Sequence, residues 1–332
     1  MKIVIDAFGG DHAPNEVIKA ARKAKDELQV EIVLCGDESK IKNAAKELSI
    51  NIDDMEIIHA AEVFDIHEQP SKIIKEGKNT SLAVGLKALK DGKGDAFLSA
   101  GSSGGLIVGA STIVGRIRGI KRPSMSAMLP TISGRRIMLT DAGANAVCRP
   151  EMLLQFAIMG SAYMKCVKGI ENPKVGLLNI GAEETKGRDL ELETYQLLKN
   201  APINFIGNAE AREVPTGNFD VIVSDGFSGN VVLKLYEGMG SMFKKKLKGW
   251  FSGFFGTLSA ILVLKEIKEF QQLMDYKSEG GGIILGVSKP VIKAHGSSDQ
   301  KAFYHAIRQA KLCVEGNMIA EITRTMEELK GV

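Results

Sequence analysis

The sequence is poor in the features that identify several classes of protein. It has four cysteines, spread over most of the chain, and none belongs to a Cys-x-x-Cys pair. Such spacing predicts neither a zinc site nor a disulfide framework, and we expect buried, apolar thiols. No basic and apolar leader precedes the strand-like residues 1–5, so the sequence predicts a cytoplasmic protein. The four cysteines are Cys35, Cys148, Cys166 and Cys313.

Nucleotide-binding motifs are also missing. The nearest match to G-x-G-x-x-G is Gly238-Met239-Gly240, which lies inside helical sequence and not after a strand, so a dinucleotide site is not predicted. The chain has no G-x-x-x-x-G-K-[ST] phosphate loop. Its net charge of +3 over 332 residues is too small to indicate nucleic acid binding. We therefore expect neither a nucleic acid partner nor a bound cofactor.

Short apolar runs alternate with segments of helical periodicity along most of the chain. With 44% hydrophobic and 25% charged residues, the composition is that of an ordinary globular protein. The alternation predicts an α/β fold with a doubly wound, mostly parallel sheet in a single unit, residues 1–332. The clearest strands are 31–35, 95–99 and 175–180, and the clearest helices are 81–90, 150–167 and a long closing helix capped by Asp299.

The stretch 221–234, VIVSDGFSGNVVLK, joins a β-branched run to a helix through a turn that contains two glycines. A helix that starts in this way leaves free backbone N–H groups at its first turn, where the helix dipole also favours negative charge. We therefore expect an anion-binding cradle that includes Gly226 and Gly229.

Four more segments share this design of an apolar run followed by small and polar residues. They are 3–11 (IVIDAFGGD), 97–105 (FLSAGSSGG), 137–145 (IMLTDAGAN) and 175–187 (VGLLNIGAEETKG). Because parallel strands end along one edge of a sheet, we expect all these loops to converge on one cleft. Carboxylates among glycines commonly cap loops, so we predict no metal site. The candidate substrate-binding residues are Asp6, Gly9, Gly10, Asp11, His12, Gly101, Ser103, Gly104, Asp141, Asn145 and Glu183.

One of these loops also allows a different interpretation. Residues 101–105 match G-x-S-x-G between a predicted strand and a predicted helix, as the nucleophile elbow of an α/β-hydrolase requires. Asp225 and His295 follow Ser103 in the chain order of that catalytic triad. No HGGG-type oxyanion loop precedes the serine. A serine hydrolase is therefore the first alternative function.

Six motifs follow one another over nearly the whole chain: DAFGGDHAP, SAGSSGG, DAGAN, LLNIGAEETKG, SDGFSGNVVLK and IKAHGSSD. In this order they resemble the PlsX family of acyl-[acyl-carrier-protein]:phosphate acyltransferases. The resemblance implies a three-layer α/β/α fold like that of isopropylmalate dehydrogenase and phosphotransacetylase. It also implies that inorganic phosphate displaces acyl-carrier protein from a fatty acyl thioester, which gives acyl phosphate for phospholipid synthesis. A dehydrogenase on the same fold and a non-catalytic, membrane-associated scaffold are further alternatives.

The implied chemistry needs no nucleophilic side chain, because phosphate is itself the nucleophile and must only be positioned. Lys186 would place a positive charge near the phosphate or the departing thiolate, and the amide of Asn230 would donate to the thioester oxygen. Asp225 would orient one of these groups. His295 or Lys293 would protonate the leaving sulfur, and the sequence does not choose between them.

Two departures from the family pattern affect the loops. Phe8 stands where the family usually has methionine, and Ser102-Ser103 stands where it usually has Asn-Thr. A hydroxyl role therefore carries over to Ser103, whereas Ser102 lacks the amide that an asparagine would offer.

Residues 244–270, KKKLKGWFSGFFGTLSAILVLKEIKEF, interrupt the α/β alternation. We predict a protruding helical hairpin at 240–276, whose uncharged run is shorter than the roughly 20 residues that span a bilayer. One interpretation is burial against the core or a second subunit, and we expect a homodimer. Four lysines before the aromatic residues favour peripheral contact of the hairpin tip with an anionic membrane. The predicted membrane-contacting residues are Trp250, Phe251, Phe254 and Phe255.

Overall fold

One mixed sheet of eleven strands organises the residues that the computed structural model describes, which are 1–251, 263–273 and 279–329. The strands are β1 Lys2–Asp6, β2 Glu31–Gly36, β3 Glu56–His59, β4 Ala96–Ser99, β5 Ser124–Pro130, β6 Arg136–Thr140, β7 Val175–Asn179, β8 Phe205–Glu210, β9 Val221–Val223, β10 Gly282–Leu285 and β11 Val291–Lys293. They lie in the order β3-β2-β1-β4-β11-β10-β5-β6-β9-β7-β8.

Helices cover both faces of this sheet. The α-helices of the described residues are α1 Asn15–Leu28, α2 Glu38–Glu47, α3 Ser81–Lys90, α4 Ser103–Gly109, α5 Pro150–Lys168, α6 Asp189–Lys199, α7 Gly226–Trp250, α8 Leu264–Leu273, α9 Gln300–Glu315 and α10 Met318–Glu328. Ile3 and Ile5 of β1 share a buried cluster with α1, α5 and α9, whereas Val4 between them shares another with α3 and α4. A third cluster joins β6 and β9 to α7. The predicted α/β class, with helices on both sides of the sheet, is confirmed.

Most predicted elements are present, and the closing helix is the main exception. α3 has its predicted bounds, and Asp299 caps α9 by accepting a hydrogen bond from the Ala302 N–H at 3.0 Å. The prediction of one long closing helix is wrong, because Asn317 adopts a left-handed conformation with φ of 50° and separates α9 from α10. Local periodicity continues across this break, so the sequence pattern did not reveal it.

The predicted hairpin at 240–276 lies partly outside the described residues. α7 is a single helix of 25 residues that continues through the lysine cluster to Trp250. α8 covers part of the second half of the predicted hairpin, and residues 252–262 and 274–278 are not among those described. The hairpin and the single unit 1–332 therefore stay predictions.

The strand directions change where the loops lie. β11 pairs with β10, β10 with β5 and β5 with β6 in antiparallel fashion, whereas the other seven pairings are parallel. Three reversals in a row make β1, β4 and β11 run opposite to β6, β7 and β9. The carboxyl ends of β1, β4 and β11 lie along one edge of the sheet, which we call edge A. The carboxyl ends of β6, β7 and β9 lie along the opposite edge, which we call edge B. The expected convergence of all loops on one edge is therefore wrong.

Candidate active site

At edge A, the loops after β1 and β4 are held together by a buried carboxylate. Asp6 Oδ2 accepts a hydrogen bond from Ser99 Oγ at 2.7 Å, and Ser99 Oγ accepts one from the Gly101 N–H at 2.9 Å. Burial raises the pKa of Asp6 above its ordinary value. A Cβ on Gly9 would lie 2.7 Å from Gly101 N and 2.8 Å from Asp6 Oδ2, so only glycine allows this approach. Asp6 and Gly9 therefore connect the two loops.

Lys293, the last residue of β11, points into the same cluster. Its Nζ donates to the carbonyl oxygens of Ala100, at 3.4 Å, and of Ala294. Burial lowers the pKa of Lys293 to about 8, and the nearby carboxylates of Asp6 and Asp11 oppose that shift. The Lys293 ammonium therefore forms its hydrogen bonds mainly with the protein backbone.

The outer part of edge A brings the loops after β1 and β11 together. Gly10 has φ of 104°, and the Asp11 N–H donates to the Gly296 carbonyl at 2.8 Å. The ring of His295 is exposed, and its Nδ1 lies 2.9 Å from Ser297 Oγ. Asp11 is also exposed. Edge A therefore offers polar side chains to solvent only along its rim.

The G-x-S-x-G loop forms the start of α4 at this rim. Ser103 is exposed, as is His12 on the loop after β1. A Cβ on Gly104 would lie 2.5 Å from Pro70 Cγ, so this glycine allows the neighbouring 3-10 turn, Pro70–Ile74, to pack closely. Gly104 therefore contacts protein at this point.

The structure separates the residues of the serine hydrolase alternative. Ser103 and His295 belong to edge A, and Asp225 follows β9 at edge B. Both carboxylate oxygens of Asp225 already accept hydrogen bonds, from Ser228 and from Arg188. A triad needs its three side chains within hydrogen-bonding reach of one another, so this alternative is wrong.

At edge B, Asp141 fastens the loop 141–145, which we call the DAGAN loop. Its carboxylate accepts five hydrogen bonds of 2.7 to 3.1 Å, and its exposed fraction is 0%. Burial raises the pKa of Asp141, and these hydrogen bonds oppose the shift. Asp141 therefore lies beneath the loop and not in contact with solvent. The donors are the N–H groups of Met125, Gly143, Ala144 and Asn145 and the side-chain amide of Asn145.

The first N–H groups of α7 are used within the protein. Gly226 N donates to the Asn145 carbonyl at 2.8 Å, and Gly229 N donates to the Asp225 carbonyl at 2.9 Å. Ser228 N donates to Asp225 Oδ1 at 2.7 Å, which makes Asp225 the N-cap of α7. The predicted anion cradle at these three groups is therefore wrong, because the cap and the DAGAN loop satisfy them first.

The two glycines of this turn allow α7 to touch the DAGAN loop. A Cβ on Gly226 would lie 2.6 Å from the Asn145 carbonyl oxygen, and a Cβ on Gly229 would lie 1.9 Å from the Asp141 carbonyl oxygen. Neither distance is possible for a real side chain. Gly226 and Gly229 therefore allow the backbone of α7 to lie close to the DAGAN loop.

Arg188 is a candidate site residue that the sequence analysis missed. Its guanidinium donates to Asp225 Oδ2 at 2.6 Å and to both carboxylate oxygens of Glu191, and its side chain is 62% exposed. The hydrogen bonds that Arg188 donates to Glu191 and Asp225 raise the pKa of Arg188. Asp225 thus orients an arginine, not Lys186 or Asn230. The glutamate three residues after Arg188, typical of a capping box, was the available signal.

Lys186 and Asn230 are also exposed at edge B. The Lys186 carbonyl accepts from Asn179 Nδ2 at 3.0 Å, which fixes the backbone of the loop after β7. Within the described part of the chain, the Lys186 ammonium forms no ion pair and the Asn230 amide forms no hydrogen bond. A Cβ on Gly143 would lie 3.6 Å from Asn230 Oδ1, so the amide lies beside the DAGAN loop. Glu183 is exposed on the same loop as Lys186.

These groups come from three neighbouring strands. β9 pairs with β6 on one side and with β7 on the other, so the loops that follow them are adjacent at edge B. The edge presents an ammonium, a guanidinium and a primary amide to solvent. Such groups bind phosphate oxygens and stabilise a carbonyl oxygen that becomes negative.

The thiols add no reactive group to this arrangement. Cys35 and Cys313 are buried, as expected, whereas Cys148 and Cys166 are partly exposed. Cys148 Sγ donates to the Asn145 carbonyl at 3.3 Å, and burial raises the pKa of Cys148 to about 12. A thiol with this pKa is protonated near neutral pH and is a poor nucleophile. Among the described residues, no group of three His, Cys, Asp or Glu side chains is arranged to hold a metal.

Two of the predicted membrane-contacting residues are described. Trp250, at the end of α7, is 68% exposed, and Phe251 is partly exposed. Phe254 and Phe255 lie outside the described residues. In the described part of the chain, no helix combines the length and the apolar character needed to cross a bilayer.

The fold is that of phosphotransacetylases. A phosphotransacetylase from Streptococcus pyogenes superimposes with a TM-score of 0.64 and 20% identity, covering 96% of this chain and 94% of that one. The EutD phosphotransacetylase from Staphylococcus aureus gives 0.61 and 19% identity, with 94% of each chain covered. A putative 4-hydroxythreonine-4-phosphate dehydrogenase from Salmonella typhimurium gives 0.52 and 12% identity, covering 94% of this chain and 98% of that one. At these identities the likeness concerns the fold alone.

Sequence comparison identifies the family. Residues 1–321 match the model of a family described as "Fatty acid synthesis protein", and the chain belongs to this family. A phosphate acyltransferase from Thermoanaerobacterium thermosaccharolyticum is 45% identical over 328 residues, 98% of this chain and 97% of the relative. One from Oceanobacillus iheyensis is 45% identical over 333 residues, 100% of this chain and 99% of the relative. The resemblance to the PlsX family is confirmed.

Proposed function

We propose that this chain is an acyltransferase that moves a fatty acyl group from acyl-carrier protein to inorganic phosphate. The product is acyl phosphate, which enters phospholipid synthesis. Relatives with 45% identity over nearly the whole chain are phosphate acyltransferases, which supports this activity. In the structure, the strongest support for this activity is the exposure of Lys186, Arg188 and Asn230 at edge B.

The reaction follows from the charges at this edge. A phosphate oxygen attacks the thioester carbonyl, a C–O bond forms, the C–S bond breaks, and the sulfur leaves as a thiolate that takes a proton to become the carrier-protein thiol. Lys186 and Arg188 hold the phosphate, and Lys186 also stabilises the thiolate. The Asn230 amide donates to the carbonyl oxygen as it becomes negative. Asp225 keeps the Arg188 guanidinium in place through their 2.6 Å contact.

Edge A has a different part in this proposal. His295 and Lys293 were candidates for protonating the leaving sulfur, but β11 ends at the edge opposite Lys186. In one chain they are therefore not placed next to the thiolate, which can take its proton from water. The buried contacts of Asp6, Gly9 and Lys293 hold the loops of edge A in place.

The direct test is an assay of the purified protein with a fatty acyl thioester of acyl-carrier protein. With phosphate, we expect acyl phosphate, trapped as its hydroxamate, and free carrier-protein thiol in equal amounts. Without phosphate, neither product accumulates. Release of free fatty acid at the same rate with and without phosphate would contradict acyl transfer and indicate hydrolysis.

We propose a homodimer in which α7 contacts a second copy. Val232, Leu233 and Tyr236 pack against the sheet. The other side of the helix exposes an apolar stripe, which a second copy of the same helix would cover. Analytical ultracentrifugation of a Leu235→Glu, Met239→Glu variant should show monomers, whereas Glu237→Gln on the polar side should not. A dimeric double variant contradicts this interface. The stripe consists of Phe227 (65% exposed), Val231 (54%), Leu235 (65%) and Met239 (40%).

We also propose that this protein is cytoplasmic and contacts anionic membranes through the tip near Trp250. The lysines at 244, 245, 246 and 248 are exposed just before it, and each basic residue near an anionic surface contributes about 1 kcal/mol. Wild type should sediment with anionic liposomes at low salt and be released by high salt. A Trp250→Ser, Phe254→Ser variant should remain in the supernatant. If wild type and the variant remain equally in the supernatant at low salt, the tip contacts only protein.

A further inference from the structure

The loop 115–122, GRIRGIKR, is unusually basic. It links a π-helical turn, Ala110–Val114, to β5, and the chain contains no Asp or Glu between Asp95 and Asp141. Its two isoleucines are buried, with exposed fractions of 5% for Ile117 and 4% for Ile120. The loop therefore has an apolar inner side and a cationic outer side, which we call the basic loop face. This face consists of Arg116, Arg118, Lys121 and Arg122, which are all exposed.

The backbone of this loop is held at both ends. Ile117 N donates to the Gly286 carbonyl at 3.0 Å, beside a β-bridge between Arg116 and Val287. The Gln155 side chain of α5 accepts from Lys121 N at 2.8 Å and donates to a loop carbonyl, that of residue 119, at 3.0 Å. A loop fixed in this way loses little conformational entropy when a partner binds.

The charges of the basic loop face are largely unused within the chain. Among the described residues, Arg118 and Arg122 form no ion pair, and Lys121 lies 3.5 Å from Glu151 with both side chains about half exposed. Other surface arginines are paired, such as Arg324 with Glu321. Exposed pairs like that of Lys121 contribute little, so they do not compete strongly with a partner.

The basic loop face lies next to edge B. Asn145 Nδ2 of the DAGAN loop donates to the Pro123 carbonyl at 2.8 Å, so Arg122 is one residue from a direct contact with that loop. At the other end of the same region, Arg149 is exposed directly before α5. Lys121 reaches Glu151 in the first turn of α5, which places Arg149 close to the basic loop face.

We propose that the basic loop face, together with Arg149, docks an acidic surface of acyl-carrier protein. This inference rests on the proposed function, since it concerns how the carrier-bound donor reaches edge B. A preformed patch of one sign attracts a partner of the other sign and raises the rate of productive encounter. A face beside the reacting groups leaves the thioester of the docked carrier close to Lys186 and Asn230.

A double variant, Arg118→Glu with Arg122→Glu, tests this docking. Binding of fluorescently labelled carrier protein, measured by anisotropy without turnover, should weaken about tenfold or more. The KM for the acyl-carrier-protein thioester should rise to a similar extent, while the KM for phosphate and kcat stay close to wild type. Raising the salt concentration should weaken binding to wild type more than binding to the variant. An Arg118→Lys, Arg122→Lys variant should retain most of the binding, because it keeps the charge.

The matched control is Lys40→Glu with Lys46→Glu on α2, which changes the net charge equally. α2 contacts β3 at the far end of the sheet, so carrier binding should be unchanged. Wild-type affinity in the Arg118, Arg122 double variant, or equal weakening in the control, would overturn the proposal. The proposal would also be overturned if the double variant bound carrier protein normally but no longer sedimented with anionic liposomes. That result would assign the basic loop face to membrane binding. Carrier binding is read without catalysis, so it is separable from a failure of acyl transfer itself.

Discussion

At edge A, polar groups at the ends of three neighbouring strands contact one another. At edge B, the side chains of Lys186 and Asn230 reach solvent, and neither has a protein partner among the described residues. The Lys293 ammonium of edge A donates to main-chain carbonyls beside Asp6 and Asp11. The Lys186 ammonium of edge B forms no ion pair among the described residues. Two lysines that follow similar apolar runs therefore differ in what they can bind.

This comparison shows how little a carboxylate beside glycines says about a ligand. Asp6 and Asp141 both lie where a strand meets a glycine loop, and both are buried and accept hydrogen bonds from the backbone of their own loops. Each organises a loop at its edge. At edge B the groups available to a substrate lie beyond the strand ends. Asn230 is in the first turns of α7, which Asp225 caps, and Lys186 is on the loop that Asn179 holds.

The largest expected effect is on turnover, and it differs between the two edges. Lys186→Ala and Asn230→Ala should each lower turnover by about 10²-fold or more, the scale of losing one preorganised electrostatic donor. His295→Asn at edge A should lower it by less than about tenfold. Acyl phosphate formation, with circular dichroism to confirm folding, measures all three. An equal loss in the three variants would mean that both edges serve one reacting centre.

A second prediction concerns Lys293, the partly buried lysine of edge A. Burial lowers the pKa of Lys293 to about 8, against 10.5 for an ordinary lysine. Between these pH values the unfolded chain holds a proton that the folded chain has lost, so folding is favoured more strongly as pH rises. The stability of wild type relative to Lys293→Met should increase by up to about 3 kcal/mol across this window. Urea unfolding at several pH values measures it, and a stability difference independent of pH would contradict the burial of Lys293.

The glycine of closest approach gives the third prediction. Gly229→Ala would place a Cβ 1.9 Å from the Asp141 carbonyl oxygen at edge B, and it should cost about 1–3 kcal/mol of stability or more. Gly9→Ala should have a similar cost at edge A. The matched control is Gly238→Ala in α7, where no atom lies within 4 Å of the new Cβ. It should stabilise the helix by about 0.5–1 kcal/mol. Chemical denaturation measures all three, and wild-type stability in Gly229→Ala would refute the close packing at edge B.

The smallest expected effect is that of Ser103→Ala. If phosphate attacks the thioester directly, this change should lower turnover by at most about tenfold, the value of one hydrogen bond. Loss of a triad serine would cost several orders of magnitude more. Mass spectrometry of the protein stopped during turnover should find no acyl group on Ser103. An acylated Ser103 would contradict direct attack.

Much of the local structure could be predicted because it depends on neighbouring residues. Helical periodicity marked α3 and α5, and a side chain able to cap a helix marked Asp299. The glycine loops were also found by their pattern. Arg188 was missed, because its contact with Asp225 joins residues 37 positions apart, and the local pattern with Glu191 indicates only the start of a helix.

The sequence by itself determined most of the strands and helices, and its six motifs indicated the family, because capping, periodicity and turn chemistry act over a few residues. Only the tertiary structure decided on which edge each loop lies. A strand of four residues has the same apolar pattern whichever way it runs, and β10 takes its antiparallel place beside β5 through contacts between residues far apart in the chain. Together with the antiparallel pairings of β10 with β11 and of β5 with β6, this pairing sends Lys186 and Asn230 to one edge and Lys293 and His295 to the other.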